Sequence, residues 1–279
     1  MKKCHSAGRR IGICLLALLL IAACAGCASG ERAKLTVFAF SAGAADAFLI
    51  TTENSAVLID CAEKSFGKEI AAYLAEQGIA RLDYLIITHF DKDHVGGADK
   101  VIGAAEIGRV LQSDHPKASN AYENYLEALS AAGIEAETVT EDLSFELDGV
   151  QYHIDAPAGG YSSDESNNSS LIVSVTNGSD KLLFMGDAED ERIAEFLDQQ
   201  PGTYDFLKVP HHGRSGSLSS LLIRTVRPQI AVITSSESEP EDGEVVQLLR
   251  QSGADTYLTR RGNVVIESSG SGVKARYGK

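Results

Sequence analysis

Between residues 35 and 279 the chain alternates short apolar runs with stretches of helical spacing, and several of the runs end in an acid or a histidine. Leu35–Phe40, Ala47–Thr51 and Ala56–Asp60 predict three short strands joined by turns. Phe66–Gln77 carries Ile70, Tyr73 and Leu74 on one helical face, with Gly78 as its stop. Leu82–Thr88 is apolar apart from Asp83 and its terminal threonine, as expected of a strand buried on both faces. A polar stretch follows, with a helix expected over Ala121–Ala132. Leu143–Leu147, Val150–Ile154, Leu171–Val175 and Lys181–Met185 predict further strands, the last two joined at Asn177-Gly178. The remainder predicts helices over Ala188–Leu197, Ser217–Val226 and Gly243–Gln251, and strands over Phe206–Val209, Ile230–Thr234 and Val264–Glu267. No linker, repeat or charge block divides this region. Strand runs in both halves, interleaved with helices, imply two sheets with helices outside, a single αββα sandwich.

The first 30 residues have a different pattern. Lys2, Lys3, Arg9 and Arg10 precede an apolar run of 13 residues, Ile11–Ala23. A membrane-spanning helix needs about 20 such residues, so the run is read as a signal-peptide core. Ile21-Ala22-Ala23-Cys24 resembles the bacterial lipoprotein signal, which implies lipidation of Cys24; Cys27 matches less well, lacking an aliphatic residue three positions upstream. The expected organisation is therefore a signal peptide over 1–23, a tether over 24–34 and one domain over 35–279. This implies a lipid anchor at the extracytoplasmic face of a bacterial membrane.

Charge and cysteine content agree with that division. The chain carries 25 Lys+Arg against 39 Asp+Glu, a net charge of −14. Losing residues 1–23 removes four basic and no acidic residues, leaving −18. Such a balance excludes a nucleic-acid binder working through basic surface alone. Of five cysteines only Cys61 lies in the body, so no internal disulfide scaffold forms. Cys61 itself reads as a small buried hydrophobe after a strand.

The chemistry gathers at strand ends. The Leu82–Thr88 run leads straight into His89-Phe90-Asp91-Lys92-Asp93-His94-Val95-Gly96-Gly97, four ligand-type residues within six positions. A turn there lets His89 and Asp91 face one centre and Asp93 and His94 an adjacent one, with Gly96 and Gly97 allowing a tight backbone. Two carboxylates and two imidazoles against an apolar strand end are costly to bury unless a cation compensates them. Leu182-Leu183-Phe184-Met185-Gly186-Asp187 is a second apolar strand ending in an acid, although Asp187 alone also reads as a helix N-cap. Phe206-Leu207-Lys208-Val209-Pro210-His211-His212-Gly213 is a third, ending in paired histidines. His115 and His153 read as surface or ordinary strand residues.

Thr88 to Gly97 resembles the metal-binding motif of the metallo-β-lactamase superfamily, with Asp91 where most members place a second histidine. Taken with Asn167-Asn168-Ser169-Ser170-Leu171, Gly186-Asp187-Ala188 and Val209-Pro210-His211-His212-Gly213, it is similar to the C-terminal domain of the ComEC competence proteins. Ala42–Ala47 and Val57-Leu58-Ile59-Asp60 resemble that domain's opening strands, and the likeness covers roughly residues 35–270. It implies a four-layer αββα fold and a hydrolase with two divalent ions, Mn²⁺ or Zn²⁺, and a bridging hydroxide. His89 and Asp91 match ligands of one ion, Asp93 and His94 of the other, Asp187 the bridging carboxylate, and one of the pair His211 and His212 the last ligand, with His211 preferred. Asp93 or Asp187 would orient the attacking water, and whichever of the two histidines is not a ligand, His212 if His211 binds the ion, would donate to the leaving oxygen or bind a phosphate oxygen. Asn167, Ser170, Lys208 and Ser215 are substrate-side candidates. The Asn167–Ser170 stretch replaces a histidine of the wider superfamily, and oxygen-rich ligation favours harder ions such as Mn²⁺. Ala44 and Glu239 depart from the glutamine and histidine common in ComEC-like domains.

The implied substrate is a phosphodiester, with DNA among the candidates, and the sequence names no protein partner. Hydrolysis of another exported ester, lactone, cell-wall substrate or β-lactam is the enzymatic alternative. A non-catalytic binding lipoprotein on a metal-supported fold is the other.

Overall fold

The computed structural model describes residues 1, 34–162 and 165–278. The expected signal peptide, Cys24 and the tether as far as Ala33 lie outside these residues. The chain divides into Met1–Glu31 and Arg32–Lys279, and every described strand and helix belongs to the second unit.

The strands are β1 (Leu35–Ala39), β2 (Phe48–Thr51), β3 (Ala56–Ile59), β4 (Arg81–Ile87), β5 (Glu106–Gln112), β6 (Ala136–Thr138), β7 (Leu143–Leu147), β8 (Val150–Asp155), β9 (Ile172–Asn177), β10 (Asp180–Phe184), β11 (Phe206–Lys208), β12 (Ile230–Ile233), β13 (Asp255–Leu258), β14 (Val264–Ser268) and β15 (Val273–Tyr277). The helices are α1 (Gly67–Glu76), α2 (Lys92–Val95), α3 (Ala98–Ile102), α4 (Asn120–Ala132), α5 (Asp190–Asp198), α6 (Ser219–Val226) and α7 (Gly243–Ser252). One sheet runs β15-β14-β1-β2-β3-β4-β5-β6 and the other β13-β12-β11-β10-β9-β8-β7.

Side-chain alternation explains the layers. On β4, Tyr84 and Ile86 enter the core between the sheets, while Leu85 and Ile87 enter a second core under α1, α3 and α4. On β10 and β11, Leu182, Phe184 and Phe206 face the other sheet, and Leu183 and Leu207 face α5, α6 and α7. Both sheets are therefore buried on two faces, which gives the expected αββα sandwich. Truncating Leu85, 0% exposed, to alanine would cost about 2–5 kcal/mol.

Each sheet is antiparallel on one side and parallel on the other: β3, β4, β5 and β6 pair in parallel, as do β10, β11, β12 and β13. Parallel strands share a carboxyl end, and in such sheets that end is where ligands bind. His89 follows β4, Asp187 follows β10, and His211 and His212 follow β11.

Four strands went unforeseen. β5 and β6 fall in the stretch read as polar, because β5 (EIGRVLQ) breaks its apolar alternation with Gly108 and Arg109. β13 and β15 are the outer strands beyond β12 and β14, and β15 (VKARY) keeps polar groups in water along its free edge. The loop after β4 contains one turn of helix, α2, where a plain turn was expected.

Candidate metal centre

The loop after β4 is held by close packing. Gly97 has an ordinary φ of −89°, but a Cβ there would lie 2.3 Å from Cys61 O and 2.8 Å from Gly67 Cα. The glycine is thus required for approach, and not for a left-handed backbone. Gly186 needs both: φ is +53°, and a Cβ would meet Ser170 Cβ at 2.9 Å. These contacts bring three strand ends together. His211 and His212 both have positive φ, 48° and 52°, an unfavourable conformation for non-glycine residues that here aims the second ring at Asp93 and Asp187.

Asp93, His94, Asp187 and His212 offer ligand atoms that all lie within 4.8 Å of one another. Asp187 Oδ2 is 3.2 Å from His94 Nε2 and 3.1 Å from His212 Nε2. Asp93 Oδ2 is 3.1 Å from His212 Nε2 and 3.9 Å from His94 Nε2. Bond lengths of about 2.0–2.1 Å in a tetrahedral site put neighbouring ligands ~3.3 Å apart, so the set has the right spacing for one ion. His94 Nε2 is buried and makes no well-aligned hydrogen bond, facing only the carboxylate oxygens of Asp187 and Asp93 at 3.2 and 3.9 Å, as suits an imidazole nitrogen presented to a cation. The residues therefore fit a divalent ion.

Charge tells the same story. Burial pushes the His94 imidazole down, but Asp187, Asp60 and Asp46 overrule it and hold its pKa well above the usual value. Burial likewise opposes protonation of His212, yet Asp187 and Asp93 raise it to about 9. The Asp187 carboxyl, resisted by burial, is held well below the carboxylate range by His212, His94 and Lys208. Without an ion, two protons supply the positive charge that the carboxylates demand; an ion would displace them.

A further set of groups orients these four. Asp60 Oδ2 is 2.8 Å from His94 Nδ1 and accepts from Thr88 Oγ1 at 2.7 Å, while Asp60 Oδ1 accepts from the Thr88 amide. His212 Nδ1 is 2.9 Å from Thr234 Oγ1, which donates to Asp46 Oδ1 at 2.6 Å. Such partners fix the ring orientation and raise ligand basicity. Sequence reasoning gave roles to none of Asp46, Asp60 and Thr234. Asp60 and Thr234 sit directly after apolar strands β3 and β12, the same signature that marked Asp187.

Several expectations are corrected. His211, expected as the last ligand, is turned away: its Nδ1 lies 3.2 Å from Glu189 Oε1 and its Nε2 3.4 Å from Asn167 Nδ2. His212, expected to serve the leaving group, takes the place in the cluster. Lys208 does not face substrate. Alternation along β11 puts it on the same side as Phe206, 1% exposed. Its Nζ pairs with Asp46 and donates to Asp187 Oδ1 at 3.2 Å and Gly186 O at 2.7 Å. Ser170 is also buried, with Oγ accepting from the Asp187 amide at 3.1 Å. Ser215 is exposed and donates to Glu244. The N-cap of α5 is Glu189, which leaves Asp187 free, and Asn168 Oδ1 accepts from the amides of Glu189 and Arg192 instead.

His89 and Asp91 lie beside the cluster. The His89 and His94 rings are 4.1 Å apart, and burial followed by His94's charge lowers the His89 pKa to about 4. His89 Nε2 is buried without a partner, 3.9 Å from Asp91 Oδ1. Among the described residues, the pair joins no group of three or more such ligands within 4.8 Å. The second ion expected there is thus less well provided for than the first. A cleft of about 400 Å³ adjoins the centre, lined by His211, Asn168, Arg214, Glu165, Glu189 and Glu191 among others. His115 stays outside the cluster, and His153 falls in a separate group with Asp142 and Asp155.

The chain is similar to known proteins in sequence and in fold. The chain is 29% identical over 189 residues to ComE operon protein 3 of Bacillus subtilis (strain 168), and 31% identical over 172 residues to Recombination protein 2 of Haemophilus influenzae. The matches cover 66% and 62% of this chain but 24% and 20% of those proteins, so it spans a quarter or less of their length. Among solved structures, the metallo-beta-lactamase fold protein YhfI from Bacillus subtilis superposes with a TM-score of 0.58 at 12% identity, over 85% of this chain and all of that one. A metallo hydrolase from Ignicoccus hospitalis KIN4/I gives 0.52 at 16% identity, over 89% of this chain and all of that one. These two likenesses show the fold. A family model described as the metallo-beta-lactamase superfamily matches residues 41–235, and to that superfamily the chain belongs.

Proposed function

We propose that the chain is a divalent-metal-dependent phosphodiesterase, lipid-anchored through Cys24 at the extracytoplasmic face of a bacterial membrane. One observation carries the enzymatic reading: the buried His94 Nε2 faces Asp187 beside His212 and Asp93, four ligand-type side chains at ligand spacing. An ion held by these four would supply Lewis-acid activation of water and of the phosphoryl group. The chain's own groups do the rest. Asp93, 22% exposed, is the cluster member most open to solvent and is placed to orient an attacking water. His211, at the rim with Glu189 behind it, is placed to bind an anionic oxygen of the substrate or to donate to the leaving oxygen. Asn167 lies beside it and can donate to the same oxygens.

Likeness to a ComE operon protein and a recombination protein favours nucleic acid as the phosphodiester. The net charge of −18 that remains without residues 1–23 and the glutamates of the adjoining cleft favour a small one. The anchor is supported by the basic and apolar run that ends at Cys24; among the described residues no helix is long and apolar enough to cross a membrane. The test is hydrolysis of bis-p-nitrophenyl phosphate and of single- and double-stranded DNA by the purified protein with Mn²⁺ or Zn²⁺. Cleavage of any of them, abolished in Asp187→Ala, supports the reading. Cleavage of none, or turnover of a β-lactam instead, ends it.

A further inference from the structure

Lys117 stands on the loop between β5 and α4, and no sequence pattern marks it. Its Nζ donates to Asp91 Oδ1 at 2.5 Å and to Ser166 Oγ at 3.1 Å. Ser166 Oγ donates to the same Asp91 oxygen at 2.6 Å. The place where a second ion was expected therefore contains one imidazole, one carboxylate already accepting twice on Oδ1, and one ammonium. An ammonium has three N–H donors and no lone pair, so it cannot ligate; it supplies charge. Asp187 gives limited help from the other side, because its Oδ1 is held by the buried Lys208. Only Oδ2 stands 3.1–3.2 Å from the two cluster histidines.

We propose that Lys117 is a resident cation in the second position. The protein then holds one divalent ion tightly at Asp93, His94, Asp187 and His212. A second ion binds at His89 and Asp91 only by displacing Lys117. The inference rests on the reading of the four-residue cluster as a metal centre. It extends that reading to the ion count, which the family resemblance had put at two.

The test is a Mn²⁺ titration of the metal-free full chain by calorimetry, with metal analysis after desalting and electron paramagnetic resonance of the loaded protein. Wild type is expected to retain one ion per chain and show the spectrum of an isolated Mn²⁺. Lys117→Met removes the competing charge, tightens the second ion by roughly tenfold or more, and yields a magnetically coupled pair. Lys117→Arg keeps the charge and is expected to behave as wild type. Lys117 is 34% exposed on its side chain, so both variants are expected to fold, which circular dichroism checks. Two ions of equal affinity in wild type, or an unchanged second affinity in folded Lys117→Met, would overturn the inference. A wild-type protein that retains no ion overturns it together with the metal-centre reading.

Discussion

Arg192 offers the sharpest test of how the site is built. It lies on α5, 0% exposed. Its Nε donates to Ser170 O at 3.0 Å, one terminal nitrogen to Asp155 O at 2.8 Å and to the Asp155 carboxylate, and the other to Glu195 at 3.2 Å. A single side chain thus joins α5, the end of β8 and the segment whose Ser170 Oγ supports Asp187. Arg192→Met keeps much of the bulk and removes the charge. It leaves the Asp155 carboxylate, 2% exposed and with Oδ2 already unpartnered, without its cation, and deprives two buried carbonyls of donors. Breaking a buried pair from one side costs about 3–5 kcal/mol. For a domain of this size that is a fall in Tm of roughly 6–20 °C. Thermal and urea unfolding with a chelator present read the change without a contribution from metal binding. The double variant Arg192→Met/Asp155→Leu removes the stranded charge as well, and is expected to be more stable than the single one by about 2 kcal/mol. If the single variant stays within about 1 kcal/mol of wild type, or the double variant is no better than the single, the account of this pair is wrong.

Other outcomes follow from the same geometry. His212→Ala is expected to weaken binding of the tight ion by more than about 100-fold, while His211→Ala leaves it nearly unchanged; calorimetric metal titration separates them, and the reverse ranking would restore the assignment made from sequence. Asp60→Asn, which loosens His94 at Nδ1, should cost roughly 10–100-fold in metal affinity with the fold intact. The pKa of His212 is raised to about 9 in the metal-free chain, so folding takes up a proton there. That stabilisation, about 3 kcal/mol, is complete below pH ~6.5 and lost as pH rises through about 9. Melting curves under chelator should therefore fall between those values, and excess Mn²⁺ should remove most of the fall; a flat or rising Tm contradicts the charge assignment.

The layer order and the three chemical strand ends were legible because they depend on local pattern. Apolar runs such as Leu82–Thr88 and Leu182–Met185 are strands buried on two faces whatever surrounds them, and a ligand-type residue directly after one marks a loop at a sheet end. Edge strands such as β15 have one solvated face and little apolar signal, so they were missed. The choice between His211 and His212 depends on two positive-φ residues in succession, and residue type does not report that rotation. Lys208 could have been placed by alternation with Phe206, but the carboxylates that make its burial tolerable, Asp46 and Asp187, are distant in sequence.

Residue order alone determined the superfamily, the αββα sandwich and the short roster of groups able to bind a cation, since each rests on periodicity or on a contiguous motif. Tertiary structure alone decided which four of them converge, which histidine turns outward, and that Lys117 and Lys208 take carboxylate oxygens that the sequence leaves free for metal. The physical reason is range. Strand burial is set by neighbours within a few positions, whereas compensation of a buried charge is set by whatever the fold brings within a few ångströms.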